Sequence, residues 1–158
     1  MERVVGISEY VVSADSRDTL VTYALGSCIG LMLHDPVAGV AGLLHAMMPA
    51  STTNGEKAAE TPAMYVDTGT LALLQALFDQ GAKRVNLVAK VAGAASTVDH
   101  DELFRIGDRN HIMLRKVLWK NGILITAEDV GGRESRTVYL DVGTGRTLVR
   151  SEGAVREL

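Results

Sequence analysis

The chain has 158 residues, 47% hydrophobic and 22% charged, with 16 Lys and Arg against 19 Asp and Glu for a net charge of −3. That balance excludes a disordered chain, and it lacks the clustered positive charge that binding to nucleic acid or to an anionic membrane requires. One domain covering 1–158 is expected, with a folded surface of roughly 7,700 Å² and a core large enough to need no disulfide or metal staple. The single cysteine rules out an internal disulfide and a Cys-rich zinc site. The segment Met1–Gly6 has no apolar core of signal-peptide length, and nowhere do ~18 apolar residues run together. A cytoplasmic protein without membrane insertion is the expectation, since a reducing compartment keeps a lone thiol free.

In chain order, Glu2–Val12 and Asp18–Leu25 read as strands rich in Val, Ile, Thr and Tyr. Ile29–His34 and Val40–Met48 are apolar runs separated by Asp35-Pro36-Val37-Ala38-Gly39, a turn signal, and together predict a buried hairpin. Pro49–Glu60 is rich in Ser, Thr, Asn and Gly and reads as a mobile surface loop. A helix should start at Thr61-Pro62, present Leu71, Leu74, Leu77 and Phe78 to the core, and stop at Gly81. Val85–Val91 predicts a strand, followed by the small-residue loop Ala92–Ser96. A second helix over Asp108–Lys120 should bury Ile112, Leu114, Val117 and Leu118 and end at Asn121-Gly122. Ile123–Glu128, Arg136–Val142 and Arg146–Arg150 close the chain as strands, with turns at Gly131-Gly132 and Gly143–Gly145. The resulting class is α+β: one domain in which about two main helices pack on a largely antiparallel sheet as a layered sandwich.

The thiol lies in Gly26-Ser27-Cys28-Ile29-Gly30. The spacing imitates a nucleophile elbow, but only Leu31–His34 follow before the Asp35-Pro36 turn, too few for the helix that an elbow needs. The glycines still let backbone N–H groups crowd the sulfur, where they favour a thiolate or hold an oxyanion. With Asp35–Ala38 as a four-residue hairpin loop, Cys28 falls directly opposite His45 on the same sheet face. Such a pairing supplies a nucleophile with a general base. A slip of one residue would separate them onto opposite faces.

Three segments, Val21–Cys28, the turn Asp35–Ala38 and His45–Pro49, resemble the chemoreceptor glutamine deamidase family, CheD. The likeness continues through Tyr65–Thr68, Lys90–Gly93, Ile106–Asn110 and Ala127–Gly132, and so covers nearly the whole chain. By this resemblance the catalytic set is Cys28, His45 and Thr22, with Ser27 and Gly26 lining the oxyanion and substrate position. No cofactor is implied. Thr22, which taken alone is equally a plain strand residue, would fix the tautomer of the His45 imidazole. The implied activity is hydrolysis of a glutamine side-chain amide on cytoplasmic helices of methyl-accepting chemoreceptors, with methylesterase action open to the same acyl chemistry. A CheC-type phosphatase is the other implied partner. Two departures stand out: Gly93-Ala94-Ala95 where the family often has Gly-Gly-Ala, and Ser135 where a glycine often precedes the arginine at 136.

Two other classes compete with this one, a non-catalytic adaptor for receptors or CheC and a thiol hydrolase or acyltransferase for a small molecule. Of the remaining histidines, His34, His100 and His111 read as surface residues. A metal at Asp99–Glu102 is disfavoured, because neighbours on one loop rarely converge on an ion. Asp108, Arg109 and Asn110 read as a helix start.

Overall fold

The computed structural model describes residues 1–96 and 105–158; the acidic segment Asp99–Glu102, with His100, lies outside them. Among the described residues there are ten strands: β1 Glu2–Val4, β2 Glu9–Ser13, β3 Thr19–Leu25, β4 Ile29–Asp35, β5 Val40–Ala46, β6 Val88–Gly93, β7 Ile125–Val130, β8 Arg136–Asp141, β9 Thr147–Ser151 and β10 Ala154–Glu157. Three α-helices join them: α1 Gly55–Glu60, α2 Val66–Asp79 and α3 Ile106–Lys120. The strands divide into two five-stranded sheets, ordered β1-β3-β8-β9-β10 and β2-β5-β4-β6-β7. Pairing is antiparallel except at β1–β3 and β6–β7.

The layers follow from alternation along the buried hairpin. On β4, Ile29, Leu31 and Leu33 face α2 and α3, packing with Leu73, Leu77, Leu114 and Leu118. The intervening Met32, with Ala41 and Leu43 of β5, packs instead against Leu20, Leu25, Val138 and Val149 of the other sheet. The α+β sandwich is thus helices, an inner sheet and an outer sheet. Every residue of β4 and β5 is buried because both faces are covered, which explains their unbroken apolar sequence. For the same reason His34, expected at the surface, is buried, with its Nε2 3.2 Å from the Val142 carbonyl. Among the described residues no helix is long and apolar enough to cross a membrane.

The hairpin loop has four residues as expected but is displaced by one. Asp35 pairs with Val40, so the loop is residues 36–39 and Gly30, not Cys28, lies opposite His45. Asp35 stays in the strand because its carboxylate accepts hydrogen bonds from the Val37 and Ala38 N–H groups, both at 2.9 Å, and caps the turn from outside. Gly39 belongs to the loop because it takes a φ of +70°, which a strand residue does not adopt.

Other boundaries differ for similarly local reasons. Glu2–Val12 is not one strand: the chain turns at residues 5–8, with Ser8 at φ +62°, and sends β1 and β2 into different sheets. The expected mobile loop contains α1, which Asn54 caps by accepting from the Lys57 N–H at 3.1 Å. The helix expected from Pro62 starts at Val66, after a separate 3-10 turn over Pro62–Met64. It buries Val66, Leu73, Leu74 and Leu77, whereas Leu71 is 51% exposed. Likewise α3 buries Leu114 and Leu118 but leaves Ile112 65% exposed. In both helices the apolar pattern is wider than the face the sheet covers.

Between Thr22 and Leu25 the β3–β8 register shifts, with two residues of β3 opposing one of β8. This bulge puts exposed Ala24 at φ +57°, a left-handed conformation that a Cβ disfavours. Ala24→Gly buries nothing less and removes that clash. It should therefore raise stability by about 0.5–1 kcal/mol after the added unfolded-state entropy of glycine is counted. A thermal melt reads this as a higher midpoint, and an unchanged or lower midpoint would refute the strain.

Candidate active site

Gly26-Ser27-Cys28 is the short crossing by which the chain leaves β3 in the outer sheet and enters β4 in the inner one. The crossing is held from below by the end of β6. The Ala95 N–H donates to the Gly26 carbonyl and the Ala94 N–H to the Cys28 carbonyl, each at 2.8 Å. Gly93, at φ +106°, passes so close that a Cβ there would sit 2.5 Å from the Cys28 oxygen. The buried Arg136 of β8 fastens this arch by donating to the Gly93 carbonyl at 3.1 Å and the Gly131 carbonyl at 2.7 Å, with Asp129 Oδ1 at 3.2 Å from its Nε. Of the two departures from the family pattern, the first falls in the arch and the second lies beside β9. Ala94 holds a left-handed φ of +54°, and the Ser135 carbonyl accepts from Ser151 Oγ at 3.2 Å. Cys28 is half-buried and packs against the core between the sheets.

His45 lies on the same inter-sheet side, since its strand neighbours Ala41 and Leu43 face that core. Its direct partner is Gly30, and Cys28 is two residues earlier. The two-residue displacement of register preserves the face, so Cys28 becomes a diagonal neighbour, a relation that spans about 7–8 Å between backbones. A Cβ at Gly30 would lie 2.9 Å from Leu25 Cδ1, so the glycine lets the Leu25 side chain approach there.

Thr22 of the outer sheet completes the group. Its Oγ1 is 2.7 Å from His45 Nδ1 and also donates at 2.7 Å to the Val5 carbonyl. A hydroxyl carries one hydrogen and a carbonyl only accepts, so the Thr22 proton goes to Val5. The Thr22 oxygen must then accept from Nδ1–H, which leaves Nε2 as the bare, basic nitrogen. Nε2 is buried and, among the described residues, has no hydrogen-bond partner. Burial lowers the His45 pKa to about 4 and raises that of the Cys28 thiol, offset only by the backbone N–H of Cys28 itself. Near neutral pH the resting pair is therefore a neutral thiol and a neutral imidazole, not a preformed ion pair.

Sequence reasoning gave no part to Val5, whose contribution is a backbone carbonyl and leaves no signature in residue type. It read Asn110 only as part of a helix start. Asn110 is indeed helical but wholly buried, and its Nδ2 donates at 2.9 Å to the carbonyls of Ser27 and of Met47, one on each candidate segment. An asparagine inside a helix, where it is a poor former, was the available signal. His34 is structural, and His111 is half-buried beside Glu128 at 3.0 Å.

The His45 shift has a defined consequence for stability. The unfolded chain binds a proton at this residue below about pH 6.5, whereas the folded chain does so only below about 4. The unfolded state thus gains protons first, so the contribution is complete above pH 6.5 and is lost as pH falls towards 4. Urea unfolding of the wild type and His45→Gln should show a flatter pH dependence for the variant across that window. Parallel curves would contradict the burial of a neutral imidazole.

Comparison with known proteins places these features in a family. A family model described as "CheD chemotactic sensory transduction" matches residues 47–151. The chain is 47% identical over 156 residues to "Probable chemoreceptor glutamine deamidase CheD 1" of Syntrophus aciditrophicus, covering 98% of each chain. It is 45% identical to the "Probable chemoreceptor glutamine deamidase CheD" of Solibacter usitatus, covering 98% of this chain and 92% of the relative. The similarly named protein of Pyrococcus horikoshii is 41% identical, with 97% of this chain and 95% of the relative covered. With identity of this order running the full length of the chain, and with the family model matching most of it, the protein belongs to the CheD family.

Proposed function

We propose that this chain is a protein-glutamine deamidase acting on cytoplasmic helices of chemoreceptors, with Cys28 as nucleophile, His45 as acid and base, and Thr22 as the group that sets the imidazole tautomer. The observation that carries the reading is the chain Val5–Thr22–His45, which leaves a bare Nε2 on the side of the inner sheet where Cys28 lies. The names of the relatives agree with it.

In the first half-reaction Nε2 takes the Sγ proton as sulfur bonds to the amide carbon, and the carbonyl electron pair moves onto oxygen. The backbone N–H groups of Cys28 and its neighbour Ser27 would receive that oxyanion, since the Gly26 N–H is taken by the Ala24 carbonyl at 2.9 Å. The C–N bond then breaks, and the imidazolium returns its proton so that ammonia leaves and a thioester remains. In the second half-reaction a water gives a proton to Nε2 and adds to the thioester. Its collapse expels Cys28 sulfur, which regains the proton, and releases glutamate. A glutamate methyl ester can follow the same course with methanol as leaving group. Because the imidazole is held neutral, no proton must be removed from it before it can act. The new carboxylate changes the charge of a receptor helix, which is how the product would bias signalling.

Mass spectrometry of a receptor cytoplasmic fragment checks this directly. Wild-type protein should convert glutamine to glutamate with release of ammonia, Cys28→Ala should convert none, and Thr22→Val should be slower by at least about tenfold in kcat. Conversion by Cys28→Ala would remove the nucleophile. No conversion by folded wild type on several receptor fragments would overturn the enzyme reading in favour of an adaptor for receptors or a CheC-type phosphatase.

A further inference from the structure

We propose that Asn110 is a positioning residue that aims the backbone N–H of Cys28 at the oxyanion formed during acyl transfer, a role that rests on the deamidase reading. The orientation of its amide is unambiguous: both neighbours of Nδ2 are carbonyls, at Ser27 and Met47, and carbonyls only accept. The Ser27 carbonyl and the Cys28 N–H belong to a single planar trans peptide, so they point in opposite directions. Holding the carbonyl towards α3 therefore directs the N–H away from the helix, and the donated hydrogen bond polarises the same peptide and strengthens that N–H as a donor. Among the described residues no backbone carbonyl accepts from the Cys28 N–H, and it lies close enough to its own sulfur to favour the thiolate. It is thus a donor without a carbonyl partner beside the nucleophile, where the carbonyl oxygen of a substrate amide becomes negative as the C–S bond forms.

The second hydrogen bond gives this arrangement its precision. Met47 follows His45 by two residues, so one side chain ties the nucleophile segment to the base segment. The helix that carries it is itself seated firmly: a Cβ at Gly107 would lie 2.6 Å from the Ala95 oxygen and 2.7 Å from that of Ala94. The N–H groups of those two residues hold the Gly26 and Cys28 carbonyls. Asn110 is wholly buried, and its Oδ1 has no partner among the described residues. A buried acceptor left unpaired inside a helix is unfavourable for stability, so the residue is better explained by what its two donors do than by folding alone.

Two variants and two readouts test the role. Asn110→Ala removes the amide, and Asn110→Asp keeps its shape but loses the N–H donors. On a receptor fragment each should lower kcat by about 30-fold or more, with KM changed less than about threefold, because the oxyanion exists only after binding. Alkylation of Cys28 by iodoacetamide displaces iodide without forming an oxyanion and depends on the Cys28 N–H only through its weaker support of the thiolate, so its rate should fall by less than about threefold while kcat falls by about 30-fold or more. A kcat near that of wild type, or alkylation falling in step with kcat, would overturn the proposal in favour of a merely structural residue. A measurement on the wild type alone stands even if neither variant folds. A receptor peptide with glutamic semialdehyde at the target position adds the Cys28 S–H across its aldehyde. In that adduct the amide proton of Cys28 should move downfield in the ¹⁵N–¹H spectrum, and an unmoved signal would refute the role. Wild type that neither deamidates receptor fragments nor forms the adduct would instead refute the deamidase reading itself.

Discussion

A buried line of hydrogen bonds from the Val5 carbonyl through Thr22 to His45 sets the terms for the rest of the structure. It crosses from one sheet to the other, so it exists only if the sheets keep a fixed separation and register. The core between them, built from Leu20, Leu25, Met32, Leu43, Val138 and Val149, supplies the separation. The hairpin β4–β5 supplies the register. Its chemical effect comes from counting hydrogens: one hydroxyl proton, committed to a carbonyl, obliges the imidazole to donate from Nδ1 and leaves Nε2 bare.

The nucleophile candidate stands where the chain changes sheets, and the surroundings of that crossing are shaped to hold an irregular backbone still. A bulge with Ala24 in the left-handed region precedes it, and Gly93 and Ala94, both at positive φ, lie beneath it. Strained conformations persist only where the surroundings determine them. Here Arg136 and the Ala94 and Ala95 N–H groups do so from one side, and Asn110 from the other.

Much of this was legible in the residues. Alternation and turn signals gave the hairpin, the two long helices and the layered class, while the segments around Cys28, His45 and Thr22 gave the family. The face of the sheet shared by Cys28 and His45 also followed from hairpin arithmetic. Their direct opposition did not, because Asp35 caps the turn from within the strand and Gly39 belongs to the loop. The division of strands between two sheets was not legible, since apolar alternation says that a face is covered and not by what. The exposure of Leu71 and Ile112 was hidden for the same reason. Neither the Val5 carbonyl nor the amide of Asn110 could be assigned a partner before the fold brought distant segments together.

Because burial favours the neutral form of both candidate groups, the proposed chemistry depends on which imidazole nitrogen carries the proton. Long-range ¹H–¹⁵N correlation spectra of protein labelled at the histidine side chains, with His45 assigned by substitution, measure this directly. The predicted result near neutral pH is a neutral ring with Nδ1 protonated and Nε2 bare. A proton on Nε2, or a doubly protonated ring, would contradict the account, since the nitrogen assigned to receive the Cys28 proton would already be occupied.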